Sequence, residues 1–209
     1  MSLKNAWRNK DVFEKQLSLN RSQLSSGIAS YASHWRELIR IFSVFQPKTV
    51  LDIGCGVGAV YSVINQHFPQ VKYEGCDYSE DAIGIAKKEW GNPSPFFVQD
   101  FWELTAEFIQ QYECILESAC IDVMPDGDKA MAFLLNLKPR NLYLQRLQFT
   151  DQPSYYREYK AYDEIDTCQY FHNYDDFLQL IDNYDYQVFV TGSGNSGNDH
   201  PTGVYLKGK

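Results

Sequence analysis

The sequence has no C-x-x-C pair, no internal repeat, no low-complexity tract and no apolar run near the roughly 20 residues that a bilayer span needs. It also lacks the apolar core of a leader segment near residue 1, so a soluble cytoplasmic protein with no membrane partner is the expectation. Cysteine is sparse: the five, at 55, 76, 114, 120 and 168, are odd in number, and three fall in or beside expected strands. They read as buried thiols of a reducing compartment, which excludes a disulfide framework or zinc site. With only four histidines and no cluster of them with carboxylates, no metal site is expected. Basic residues are outnumbered, 19 against 27 acidic ones, and the net charge of −8 argues against a DNA partner, because tight binding to phosphate backbones needs clustered Lys and Arg.

What is present is enough for one ordinary domain. The 209 residues can bury a substantial core, the hydrophobic fraction of 44% is typical, and no linker composition divides the chain. The organising stretch is Thr49-Val50-Leu51-Asp52-Ile53-Gly54-Cys55-Gly56-Val57-Gly58. An apolar β-type run meets an acid, then three glycines at alternate positions, then a helical pattern: a buried strand turning sharply into a helix. Such a corner lets a ligand press against bare backbone, beside the unpaired N–H groups of the helix that follows. Gly54, Gly56 and Ala59 loosely satisfy the dinucleotide fingerprint, so a nicotinamide-dependent oxidoreductase is one reading.

Asp52, two residues before the first glycine, points elsewhere. The run Leu-Asp-Ile-Gly-Cys-Gly-Val-Gly resembles the first motif of class I S-adenosylmethionine-dependent methyltransferases. The resemblance implies a Rossmann-like α/β fold with a seven-stranded, mostly parallel sheet, helices on both faces and an antiparallel C-terminal hairpin. It also implies S-adenosylmethionine as cofactor, with Asp52 facing its amino-acid part and Gly54, Cys55, Gly56 and Gly58 forming its cradle.

Taken in order, residues 1–10 look like a loosely held polar arm, and helices are expected over 11–26 and 28–45, broken by Gly27 and ended by Pro47. Strands are expected at 49–53, 71–77, 95–99, 114–118 and 141–147, alternating with helices at 59–68, 79–90, 106–111 and 126–137. That alternation means parallel β-α-β units. Residues 148–170 show no clean period, and 174–183, 187–191 and 203–206 read as a helix and two closing strands. The Gly/Ser/Asn-rich loop at 192–199 is flexible by composition. A single domain, 1–209, is expected, and the family resemblance implies that 1–46 forms an N-terminal helical lid and 148–172 an acceptor-side insertion.

Further carboxylates fall at strand ends. Asp77, about twenty residues past the corner, can accept both hydroxyls of a ribose; its competing role as a helix N-cap suits Ser79 better. Tyr78 is expected to pack on the sugar or the base. For Asp100 and Phe101, after the third strand, the family resemblance implies contact with adenine, though Asp100 can also cap a helix. Glu117 ends the fourth strand, where it is expected to steady the methionine portion or touch the acceptor. The Asn/Asp-Pro-Pro-Tyr run of amino-methylating enzymes is missing here.

The expected acceptor is a small polar molecule, oxygen before nitrogen or carbon, with protein or RNA as the alternative. A hydroxyl acceptor needs a base, and His172 comes first, His34 second, although for each an ordinary structural histidine is the stronger reading. His200 is expected to be exposed. The Tyr-rich segment 149–157, with Leu144-Gln145-Arg146-Leu147 before it and Tyr170-Phe171-His172-Asn173 after it, faintly resembles methyltransferases of surface-polysaccharide and small-molecule pathways. Those tyrosines suit a sugar-like acceptor or, on the other reading, a homodimer surface. A non-catalytic cofactor-binding subunit is the remaining rival.

Overall fold

A computed structural model describes residues 3, 6–8, 10–91, 94–191 and 202–209. The loop at 192–199 and His200 lie outside the described residues. The chain opens with α1 (Lys10–Ser25), a 3-10 turn (Ile28–Ser30) and α2 (Ser33–Phe45). The alternating part is β1 (Thr49–Ile53), α3 (Ala59–His67), β2 (Lys72–Asp77), α4 (Glu80–Trp90), β3 (Phe96–Val98), α5 (Ala106–Ile109), β4 (Cys114–Ser118), α6 (Gly127–Asn136) and β5 (Asn141–Thr150). Then come β6 (Tyr155–Ala161), β7 (Ile165–Asn173), α7 (Tyr174–Asp182), β8 (Tyr186–Val190) and β9 (Thr202–Gly208).

Local chemistry explains the boundaries. Gln46 takes a left-handed φ of 47° and its N–H closes on the Phe42 carbonyl, after which Pro47 prevents the helix from continuing. Ser79 caps α4, its Oγ accepting from Ala82 N at 3.3 Å, and Asn173 caps α7, its Oδ1 accepting from Asp176 N at 2.9 Å. The buried face of α2 carries Trp35, Leu38 and Phe42, each contributing about 1.5–3 kcal/mol of burial.

Strands β3, β2, β1, β4 and β5 run parallel in that order, and β9 lies antiparallel to β5 with β8 beyond it. This is the mostly parallel sheet with an antiparallel closing pair that the family resemblance implies, but among the described residues the sheet has nine strands, not seven. The extra two form a hairpin, β6 against β7, and β7 joins the outer end of β5 in parallel through Gln148↔Phe171 to Thr150↔Asn173. The hairpin escapes detection because β6 is exposed on both faces as far as Lys160, so no alternation marks it.

Period two divides β1 between the two faces of the sheet. Leu51 and Ile53 join the cluster with Met131, Leu134 and Phe177 of α6 and α7, whereas Val50 joins Leu38, Phe42, Val63 and Tyr143 beneath α2 and α3. Asp52 falls on the second of these faces. Among the described residues no helix is long and apolar enough to cross a membrane, and no group of His, Cys, Asp and Glu is placed to hold a metal ion.

Candidate functional site

The turn after β1 is pinned to the end of β2. Gly54 N and Cys55 N both donate to the Cys76 carbonyl, at 2.8 and 3.0 Å. Gly54 stands at φ +71°, and a Cβ there would come within 2.8 Å of the Cys120 side chain. Only glycine meets both demands. Asp77 completes the join: its Oδ2 accepts from Gly56 N at 3.0 Å and its Oδ1 from Ser79 N at 2.9 Å. Burial pushes the Asp77 carboxyl up to about 6, while the two backbone donors pull it the other way.

Two adjoining cavities open at this corner and share Trp7, Gly54, Asp77, Tyr78, Cys120 and Val123. The first, of about 310 Å³, runs past Gln99, Asp100, Phe101 and Trp102 to Met124. The second, of about 360 Å³, runs over Gly56 and Ala119 to Arg146 and the hairpin residues Tyr159 and Tyr162. The position matches the rule for open α/β sheets, in which ligands sit beyond the carboxyl ends of the strands.

Six of the expected cofactor residues come together here: Gly54, Gly56, Asp77, Tyr78, Asp100 and Phe101. Asp100 also caps the 3-10 turn at Phe101–Glu103, Oδ1 accepting from Trp102 N at 2.9 Å.

Four others stand apart, each for a physical reason. Asp52 is 1% exposed and lines neither cavity. Strand alternation sends its carboxylate under the corner, where Oδ2 accepts from the Tyr73 hydroxyl at 2.6 Å. That hydroxyl passes over Gly75, where an added Cβ would come within 2.8 Å of it. Burial, the main cause, and the carboxylates of Glu117 and Asp77 push Asp52 up to about 7, against the pull of the Tyr73 hydrogen bond. Cys55 is buried in the core cluster on the α2 and α3 side. Gly58 begins α3 and packs beneath Trp90, whose Nε1 donates to the Val57 carbonyl at 2.8 Å. Glu117 is fully buried and folds back to accept from Cys120 N and Ile121 N, bracing the loop after β4.

The two histidines are also displaced from the cavities. His172 is 1% exposed, tucked among Phe149, Tyr170 and Phe177, with Nδ1 2.7 Å from Asp128 Oδ1. It ties β7 to α6 and lines neither cavity. His34 lies edge-on to Trp35, and its ring is held down to about 3 by burial and by the charge of Arg146, hence neutral at physiological pH. It too is absent from both linings.

Trp7 and Trp102 line the cavities without a role expected from the sequence, and Arg146 was marked there only as part of a resembling segment. The arm is not loose at Trp7: the indole Nε1 donates to Thr167 Oγ1 at 3.2 Å, and Ala6 packs with Val12, Ala161 and Ile165. Arg8 stacks over the Tyr78 ring at 5.0 Å. Trp102 and Arg146 follow the carboxyl ends of β3 and the parallel stretch of β5, a position that topology alone flags.

A family model described as a methyltransferase domain matches residues 28–189. Among curated proteins, a tRNA N(3)-methylcytidine methyltransferase of Schizosaccharomyces pombe is 31% identical over 105 residues, covering 49% of this chain and 38% of that protein. A malonyl-[acyl-carrier protein] O-methyltransferase of Anoxybacillus flavithermus is 28% identical over 99 residues, 47% of this chain and 37% of its own length. The chain thus matches well under half of these relatives' length. Of solved structures, magnesium protoporphyrin IX methyltransferase from Synechocystis, with bound SAM, superposes with a TM-score of 0.61 at 15% identity, covering 100% of this chain and 92% of that one. DesVI of Streptomyces venezuelae superposes at 0.63 and 12% identity, covering 96% and 99%. At such identities the likeness is one of fold.

Proposed function

The chain belongs to the methyltransferase-domain family, and from that premise we propose that it transfers a methyl group from S-adenosylmethionine to a small polar acceptor, oxygen before nitrogen or carbon. The observation that carries this reading is the pair of cavities meeting at Asp77 and the glycine corner. The first suits a nucleoside, with Asp77 accepting from ribose hydroxyls, Asp100 and the Phe101 backbone at the adenine edge, and Tyr78 and Trp102 against the rings. The bare backbone at Gly54 and Gly56 leads from there into the second cavity, which suits the amino-acid end of the donor and the acceptor beside it.

When bound, the sulfonium of the donor supplies an already activated methyl group, so the protein's task is placement. In-line positioning of the acceptor is worth several kcal/mol, of the roughly 7–11 that full orientation can supply. Among the described residues no histidine lines either cavity, which favours placement over side-chain proton abstraction as the main contribution. Trp7 and the α1 residues Phe13 and Gln16 line the second cavity, and Arg8 covers the Tyr78 ring beside it.

The test is transfer from methyl-labelled S-adenosylmethionine into three fractions: small metabolites, tRNA and protein. Label in the small-metabolite fraction is the expected result. Label in tRNA or protein overturns the acceptor assignment, and no transfer to any fraction counts against the activity itself.

A further inference from the structure

Among the described residues two cations line the second cavity, Arg146 on β5 and Lys160 on β6. Resting on the methyl-donor reading above, we propose that the Arg146 guanidinium binds an oxyanion, carboxylate or phosphate, carried by the methyl acceptor.

The backbone presents this side chain at a break in β5. Up to Leu144 the strand pairs with β9 in regular register; the register shifts between Leu144 and Leu147, and from Gln148 the strand pairs with β7. Arg146 lies in that shift at φ +66°. Bulges of this kind re-aim a side chain beside functional sites. Among the described residues six non-glycine residues have positive φ. Gln46 and Lys138 follow helix ends, and Tyr162 and Asp163 make the β6–β7 turn. The two that no cap or turn accounts for, Ala119 and Arg146, both line this cavity, and Ala119 N donates to the Gln145 carbonyl at 3.4 Å. Backbone strain collects where function holds it in place.

Charge points the same way. Among the described residues Arg146 makes no ion pair within 4.0 Å. Asp77, the one carboxylate lining this cavity among the described residues, already accepts from Gly56 N and Ser79 N. Glu117 and Asp122 lie buried behind the lining, where burial raises both and the charge of Arg146 pulls both the other way. Lys160 stands at the same rim, and Tyr159 and Tyr162 flank the opening. In a chain of net charge −8, an exposed guanidinium lining a cavity with no ion pair within 4.0 Å among the described residues, with its planar fork of donors, matches a bidentate oxyanion.

The experiment titrates the full chain, saturated with S-adenosylhomocysteine, with inorganic phosphate and with succinate by calorimetry, using chloride at equal ionic strength as control. One of the two probes is expected to bind wild type at least tenfold more tightly than Arg146→Gln, with Arg146→Lys in between, and the probe that binds identifies the acceptor's group. Equal binding to wild type and Arg146→Gln, or no binding of either probe to wild type, overturns the proposal. A loss of S-adenosylhomocysteine affinity in Arg146→Gln also overturns it, since the arginine then serves the donor. Failure of wild type to bind S-adenosylhomocysteine is a separate result and counts against the donor reading instead.

Discussion

Asp77 joins the corner to the end of β2 and faces both cavities, so its removal acts on binding before stability. Asp77→Ala is expected to weaken S-adenosylhomocysteine binding by about 1–3 kcal/mol, the value of hydrogen bonds to a charged group, measured by calorimetry. Its carboxyl, raised to about 6 mainly by burial, must be ionised to accept best from ribose hydroxyls. Affinity should therefore fall as the pH is lowered through about 6, and Asp77→Asn should flatten that dependence. Asp52 has a different role. Its partner is the Tyr73 hydroxyl, and Tyr73→Phe leaves a buried carboxylate oxygen without a donor, a loss of about 1–3 kcal/mol in urea unfolding. His172→Ala removes a buried ring and its link to Asp128 and is expected to destabilise by roughly 2–3 kcal/mol, with donor affinity per folded molecule unchanged.

At the scale of elements, the alternating part was legible because each strand and helix announces itself locally. Residues 114–118 read as a strand from Cys-Ile-Leu-Glu-Ser and are one, and Pro47 and Ser79 mark their boundaries by mechanism. The β6–β7 hairpin was not legible, because Tyr155 to Lys160 are exposed on both faces and carry no period. The docking of the arm was equally silent: Trp7 meets Thr167, far away in sequence, and no local pattern encodes such a contact. Trp7→Ala should loosen the lining of both cavities and weaken donor binding by about 1–2 kcal/mol through lost apolar contact, read by the same titration.

For the whole molecule, the lining of the candidate site was readable at strand ends and unreadable where side-chain orientation decides. Gly54, Gly56, Asp77 and Asp100 sit at strand ends, whose place at the crevice follows from topology. Asp52 and Glu117 occupy strand positions whose side chains alternate into the interior or fold back on a loop, and His172 points into a helix-packed face; a motif does not tell which way a side chain turns. The buried acids also set the response to pH. Asp52, Asp77 and Glu117 are all raised above their ordinary values, chiefly by burial, to about 7, about 6 and about 7. Raised acids contribute stability that is fully present below their unfolded values near 4 and is lost as pH rises through the folded ones. The free protein is thus expected to melt at a lower temperature at pH 8 than at pH 5.5, and S-adenosylhomocysteine should raise the melting temperature more at pH 8, where Asp77 is ionised. A flat profile in thermal scans contradicts this ordering.

The most direct measurement is a pair of calorimetric titrations on the wild-type chain, one with S-adenosylhomocysteine and one with NAD. One molecule of the first is expected to bind per chain, weakened by Asp77→Ala, with no heat from the second. Binding of the dinucleotide alone contradicts the methyl-donor reading.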